Sequence, residues 1–153
     1  MFEKFRSRFS KAMKKKDIKN LAVFVDGPNI LRKELNISLS EIKSILKKFG
    51  DMKVGRVFLN QYASDKLVEA VVNQGFESII TVGDIDVSMA SDAVEAIYNN
   101  NIDSIAFVTR DSDFLPAIIK AKRAGKETIV VLAEESSAAA LKNNADHVVI
   151  LKS

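Results

Sequence analysis

The chain has no cysteine and no tryptophan, and only one histidine, two prolines and six glycines among its 153 residues. Without cysteine there is neither a disulfide nor a thiolate metal site, which fits a reducing cytoplasm. With His147 as the sole imidazole, the composition argues against a histidine-rich zinc centre and against a Ser-His-Asp triad. No apolar run approaches the roughly 20 residues of a membrane-spanning helix, and the first residues lack the continuous apolar segment of a secretory signal. Integral membrane association is therefore not expected. Two phosphate-binding glycine patterns are also missing. No G-x-G-x-x-G follows the first apolar run, and no G-x-x-x-x-G-K-[ST] occurs, which disfavours dinucleotide binding and a P-loop NTPase. The chemistry left to the chain is that of carboxylates, hydroxyls, amides and cations.

What is present suits one soluble domain. The 47% hydrophobic content and a length of 153 residues allow burial of about two-thirds of the unfolded surface. The net charge of +3 hides an asymmetry. Residues 1–19 carry eight Lys or Arg, including the run Lys14-Lys15-Lys16, against Glu3 and Asp17. That arm is strongly cationic and the body after it is mildly acidic, a division that suits an anionic partner. Phe2, Phe5, Phe9 and Met13 recur at helical spacing within the arm, so 2–16 reads as a cationic amphipathic helix. Its apolar stripe is expected to pack on the domain or on a second copy, which makes a homo-oligomer one expected use of it. The organisation expected is an arm over 1–19 and a single domain over 20–153.

Beyond the arm, short runs rich in Val, Ile and Phe alternate with helix-period segments. Strands are expected at 20–25, 53–59, 77–82, 103–108, 128–132 and 147–151, continuous enough to be buried on both faces. Helices are expected at 38–49, 64–74, 88–99, 113–124 and 136–144, with Ser38 or Ser40 and Ser64 as caps and Gly50, Gly75 and Gly125 as stops. The alternation predicts a three-layer, Rossmann-like α/β domain with a mainly parallel central sheet and right-handed crossovers.

Six carboxylates fall where strands end and helices begin. Asp26 closes the first strand and is followed by Gly27-Pro28-Asn29. Asp111 and Asp113 follow the fourth strand in Arg110-Asp111-Ser112-Asp113-Phe114, and Asp84, Asp86 and Asp92 lie around the start of the intervening helix. Each has an ordinary use: an Asx turn for Asp26, helix capping for Asp111 to Asp113, a surface acid for Asp92. Jointly they exceed what turns and caps require. Ligands in open α/β sheets bind outside the carboxyl ends of the strands, and acids converging there repel unless a cation neutralises them. Hard oxygen donors favour Mg²⁺ or Mn²⁺, and a phosphodiester is the matching substrate. A haloacid-dehalogenase-type phosphatase would need a second Asp two residues after Asp26, where this chain has Pro28.

The ordered motifs Phe24-Val25-Asp26-Gly27-Pro28-Asn29-Ile30, Asp86-Val87-Ser88-Met89-Ala90-Ser91-Asp92-Ala93 and Thr109-Arg110-Asp111-Ser112-Asp113-Phe114 resemble those of the NYN domain, in particular its small LabA-like members within the PIN-like nuclease superfamily. Pro116, the Gly125-Lys126 turn and Asn144-Ala145-Asp146 extend the resemblance over about residues 20–151. It implies a PIN-like fold with strand order 3-2-1-4-5 and metal-dependent RNase activity. It also implies Asp26, Asp92 and Asp111 as principal acids, with Asp113, Asp86 and Asn29 in support. Arg110 departs from the pattern, since many relatives carry glycine before the Asp-Ser-Asp segment. The expectation is a cytoplasmic ribonuclease using Mg²⁺ or Mn²⁺. Asp26, Asp92, Asp111 and Asp113 would hold metal with Asp86 at the margin, and Asn29 would place a phosphate or water. Arg110, Ser112, Lys14, Lys15 and Lys16 would hold RNA. The competing expectation is a noncatalytic RNA-binding or regulatory protein on the same fold.

Overall fold

Alternation along β1 (Asn20–Asp26) organises the molecule. Leu21, Val23 and Val25 are buried in one core layer, and Ala22 and Phe24 in the other. A strand buried on both faces belongs in the middle of a sheet, and β1 does sit there. In the computed structural model, which describes residues 18–32, 37–110, 114–134 and 139–152, six strands pair in the order β3-β2-β1-β4-β5-β6. The other strands are β2 (Asp51–Asn60), β3 (Glu77–Thr81), β4 (Ser104–Thr109), β5 (Glu127–Glu134) and β6 (His147–Lys152). Every pairing is parallel, where the sequence promised a mainly parallel sheet. Residues 1–17 of the expected arm, with Phe2, Phe5, Phe9, Met13 and Lys14 to Lys16, lie outside the described residues.

Helices cover both faces. On the Leu21–Val23–Val25 side lie α2 (Leu39–Leu46) and α3 (Asp65–Asn73). On the Ala22–Phe24 side lie α4 (Ile85–Ile97), α5 (Leu115–Arg123) and α6 (Ala139–Asn144). The expected signals operate at most helix ends. Ser38 Oγ accepts from Glu41 N–H at 3.1 Å and Ser64 Oγ from Leu67 N–H at 3.1 Å, as N-caps do. Gly75 and Gly125 take φ of 86° and 82° after α3 and α5, the left-handed stop that glycine adopts without strain.

Two local differences matter for the site. The Gly27-Pro28-Asn29-Ile30 segment, expected as a turn, is a one-turn helix α1 (Gly27–Ile30) with Leu31 N–H on Gly27 O at 2.8 Å. Pro28 suits its first turn because the missing N–H would have no helical partner there. Helix α4 begins at Ile85, three residues earlier than expected, because Asp84 caps it by accepting from Asp86 N–H at 2.9 Å. Ser88 is thereby inside the helix, where its Oγ accepts from Thr81 Oγ1 at 3.2 Å.

Candidate functional site

The strand order reverses between β1 and β4, which are adjacent although β2 and β3 intervene in sequence. In such sheets the loops at the carboxyl ends diverge at the reversal and leave a crevice. Val25 pairs with Val108, so Asp26 and Thr109 are the next residues on the two strands. Period two puts Asp26 after Ala22 and Phe24, and Thr109 after Ile105 and Phe107, so both face the α4–α5 layer. Asp26 is 1% exposed and Thr109 is fully buried.

Beneath them runs an aromatic floor. Phe58, Phe24, Phe107 and Phe114 form a row with successive ring centroids 6.4, 5.9 and 5.8 Å apart. All four are fully buried, and each contact adds about 0.5–1.5 kcal/mol beyond burial. Phe114 stands immediately after Asp111, Ser112 and Asp113 and immediately before α5, so the row fixes the chain just past that segment. The three residues themselves lie outside the described residues. Their neighbour Arg110 is half-buried directly after β4.

Asp26 is held by its own motif. Asn29 Nδ2 donates to Asp26 Oδ2 at 2.8 Å, a link that α1 creates by turning residue 29 back over the strand end. Gly27 is obligatory for a steric reason. A Cβ there would lie 2.5 Å from Phe58 O and 2.6 Å from Leu59 Cδ2, so only glycine lets the chain leave β1 against β2.

Of the three acids of α4, Asp92 and Glu95 lie against Arg56. Asp92 Oδ2 accepts from Arg56 Nη1 at 3.4 Å, and the same guanidinium reaches Glu77 at 3.1 Å and Glu95 at 4.0 Å. Arg56 points from β2 into the α4 layer and was not singled out in the sequence. A lone basic residue in the run Val54-Gly55-Arg56-Val57 was the available signal, because a cation in a buried strand needs carboxylate partners. Asp86 lies six residues before Asp92, which is about 9 Å along the axis and about 120° around it. The buried stripe of Met89, Ala93 and Ala96 separates the two. With Asp92 on the Arg56 flank, Asp86 lies on the other side of that stripe, in the first turn of α4. Asp84 and Asp92 instead line a shallow hollow of about 470 Å³ with Thr81, Ser88 and Ser91.

Among the described residues no three carboxylate or imidazole side chains group closely enough to hold a metal ion. Asp26 ends β1 at the reversal of strand order and Asp86 lies in the first turn of α4, while Asp111 and Asp113 lie outside the described residues. The larger hollow, about 770 Å³, is at the opposite end of the sheet and is lined by Lys19, Asp103, Lys126, Glu127, Asp146 and His147. There, Asp146 accepts from Thr128 N–H at 2.9 Å and from Thr128 Oγ1 at 3.0 Å. The backbone donor above all, helped by the hydroxyl and by Lys122, holds the Asp146 carboxyl below the ordinary aspartate range against the opposing effect of burial. Asp146 is thus a clasp between β5 and the start of β6.

Among the described residues no helix is long and apolar enough to cross a membrane. The chain is 58% identical over 141 residues to the uncharacterized protein MJ0482 of Methanocaldococcus jannaschii, an alignment covering 92% of this chain and 59% of that relative. The chain therefore spans about three-fifths of the relative's length. The fold is similar to the crystal structure of VPA0982, a protein of unknown function from Vibrio parahaemolyticus, with a TM-score of 0.77 and 18% identity over 88% of this chain and 93% of the other. The NYN domain model matches residues 20–152. That family is grouped with the PIN-like nucleases, which generally use divalent metals and act on RNA. On a match of that extent, the chain belongs to the NYN domain family.

Proposed function

We propose that the chain is a cytoplasmic ribonuclease that hydrolyses RNA phosphodiester bonds with Mg²⁺ or Mn²⁺ at the β1–β4 crevice. The observation that carries the proposal is Asp26. A carboxylate with 1% exposure at the reversal of strand order, in a motif whose glycine cannot be replaced without a clash, has a costly environment that a turn alone does not require. Asp26 and Asp111 would be the principal ligands. Asp113 and Asp86 would complete the set, Asp86 from the first turn of α4.

The chemistry supplied by a bound divalent ion is activation of the attacking water and charge compensation at the leaving oxygen. The chain's own residues do the positioning. Asn29 holds one Asp26 oxygen by hydrogen bond and so fixes the carboxylate's rotamer. Ser112 would donate to a phosphate oxygen, and Arg110 would pair with the RNA backbone at the mouth. Lys14, Lys15 and Lys16 would supply affinity that depends on salt and is indifferent to sequence. Asp92, sequestered by Arg56, would act on the site by fixing α4 against β2 and so positioning Asp86.

One observation favours a second reading. The neutralisation of Asp92 by Arg56, with Arg110 beside the crevice, suits a module that binds RNA without hydrolysing it. A single experiment separates the two. Purified chain is incubated with a generic single-stranded RNA and Mn²⁺ or Mg²⁺, with Asp26→Asn in parallel. Cleavage that needs metal and disappears in Asp26→Asn supports the ribonuclease. Binding without cleavage under any divalent metal supports the noncatalytic module.

A further inference from the structure

A groove between the C-terminal end of α4 and helix α5 lies outside the crevice and has a distinct chemistry. It encloses about 600 Å³ and is lined by Tyr98, Leu115, Pro116, Ile119, Lys120 and Arg123, with no carboxylate in its lining. Tyr98 is 67% exposed, a large share for an aromatic ring, and Lys120 Nζ lies 5.7 Å from its centroid, within cation–π range. Cations favour a helix C-terminus through the macrodipole alone, which accounts for basic residues in the last turn of α5 and not for an open aromatic ring beside them. The neighbouring cations are committed. Lys122 pairs with Asp146 at 3.8 Å, and Lys126 Nζ donates to Asn99 O at 2.8 Å and Ile102 O at 2.5 Å. Among the described residues Lys120 and Arg123 have no carboxylate partner.

We propose that this groove binds a single-stranded segment of RNA, with a base stacked on Tyr98 and phosphates held by Lys120 and Arg123. An exposed aromatic flanked by unpaired cations is the element that single-strand binders use, because every base has a π-face and every linkage a charge. Charge also decides the occupant. The chain's own cationic arm, whose Phe2, Phe5, Phe9 and Met13 would otherwise suit an apolar groove, is repelled by Lys120 and Arg123, whereas an anionic strand is attracted. The groove starts at Leu115 and Pro116, directly after the Asp111–Asp113 segment and Phe114. It runs about 10 Å along α5 toward the opposite end of the sheet. The assignment rests on the RNA-directed reading of the crevice and names the route by which a strand reaches or leaves it.

The composition provides a direct probe. The chain has no tryptophan and two tyrosines, Tyr62 and Tyr98, so in the full-length Tyr62→Phe variant the tyrosine emission comes from Tyr98 alone. Binding of a short unstructured RNA is followed in chelator, without divalent metal, by anisotropy of a label on the RNA and by that emission. The expected result is saturable quenching of Tyr98 with the same midpoint as the anisotropy. Tyr98→Ala weakens binding about tenfold and Tyr98→Phe restores it. Lys120→Ala with Arg123→Ala reduces the magnitude of the salt slope by about 1.4, the value for two phosphates of a single strand. RNA that binds by anisotropy but leaves Tyr98 emission and the Tyr98→Ala affinity unchanged overturns the proposal, whether the groove then takes a protein segment or nothing. The failure of hydrolysis is separable. Asp26→Asn leaves these binding signals intact, and a wild type that quenches but never cleaves keeps the groove while removing the nuclease.

Discussion

The two ends of the parallel sheet carry acids of similar number and use them in different ways. At the amino ends each carboxylate is matched to a donor. Asp103 Oδ2 accepts from Asn20 N–H at 2.8 Å, Asp146 clasps Thr128, and Glu127 is paired with both Lys19 and His147. At the carboxyl ends Asp26 is buried above a row of four phenylalanines and accepts from the Asn29 amide, and Asp86 lies in the first turn of α4. The amino end is saturated with local partners, so its acids serve the fold. At the carboxyl end Asp26 is kept at 1% exposure, where burial of charge is expensive, as the proposed ligand role requires. The hollow at the amino end, about 770 Å³, is larger than the one of about 470 Å³ beside Asp84 and Asp92, so size alone points away from the carboxyl end.

Breaking the carboxyl end should have the largest effect. Asp26→Asn preserves the acceptor for Asn29 and the shape of the side chain. It should leave the melting temperature within a few degrees while lowering metal-dependent RNA cleavage by about 100-fold or more, an effect of the size that follows when charge stabilisation at a reacting centre is lost. Gly27→Ala attacks the same end sterically. Because the obstructing atom is the Phe58 carbonyl oxygen at 2.5 Å, it should cost about 1–3 kcal/mol in urea denaturation, the range for overpacked sites.

At the amino end the effects should be on stability alone. Asp146→Ala leaves the buried Thr128 N–H without its acceptor and should cost about 1–3 kcal/mol, with cleavage at saturating RNA unchanged. The pH dependence has a defined sign. The folded Asp146 carboxyl titrates below its unfolded value, so its contribution is complete above the ordinary aspartate pKa. The contribution is lost as pH falls through the lowered folded value. Asp146→Asn should therefore flatten the acid limb of a stability–pH curve, with its cost greatest at neutral pH, where the ionised carboxylate contributes fully, and vanishing in acid. The smallest effect belongs to Arg56 and Asp92. A double-mutant cycle of Arg56→Met and Asp92→Asn should show coupling of about 0.5 kcal/mol, as expected at 3.4 Å with partial exposure.

Much of this architecture was legible in the sequence because its signals are local. The Leu21–Val25 and Ile105–Val108 runs could only be central strands, and Ser38, Ser64, Gly75 and Gly125 mark helix ends by hydrogen bonding and φ. The contact of Asn29 with Asp26 is local, because only Gly27 and Pro28 separate them and the chain turns between them. The surroundings of Asp86 and Asp92 were not separable in one dimension. Both follow the same strand on the same helix, and what distinguishes them is the helical phase set by Asp84 as cap and the guanidinium that β2 brings from 36 residues away. Arg56 stood out in its strand, but its partners were not legible for the same reason, since its three acids come from β3 and α4. Tyr98 and Lys120 likewise meet only through tertiary packing.

The central claim is that acids at the carboxyl end of the sheet, and not those at the amino end, hold a divalent cation. Calorimetric titration of Mn²⁺ into the wild type, Asp26→Asn, Asp111→Asn and Asp146→Asn tests it without reference to activity. Wild type and Asp146→Asn should bind with the same stoichiometry and affinity, while Asp26→Asn and Asp111→Asn should lose most of the heat and the accompanying rise in melting temperature. Equal Mn²⁺ binding in wild type, Asp26→Asn and Asp111→Asn, or a loss confined to Asp146→Asn, would contradict it.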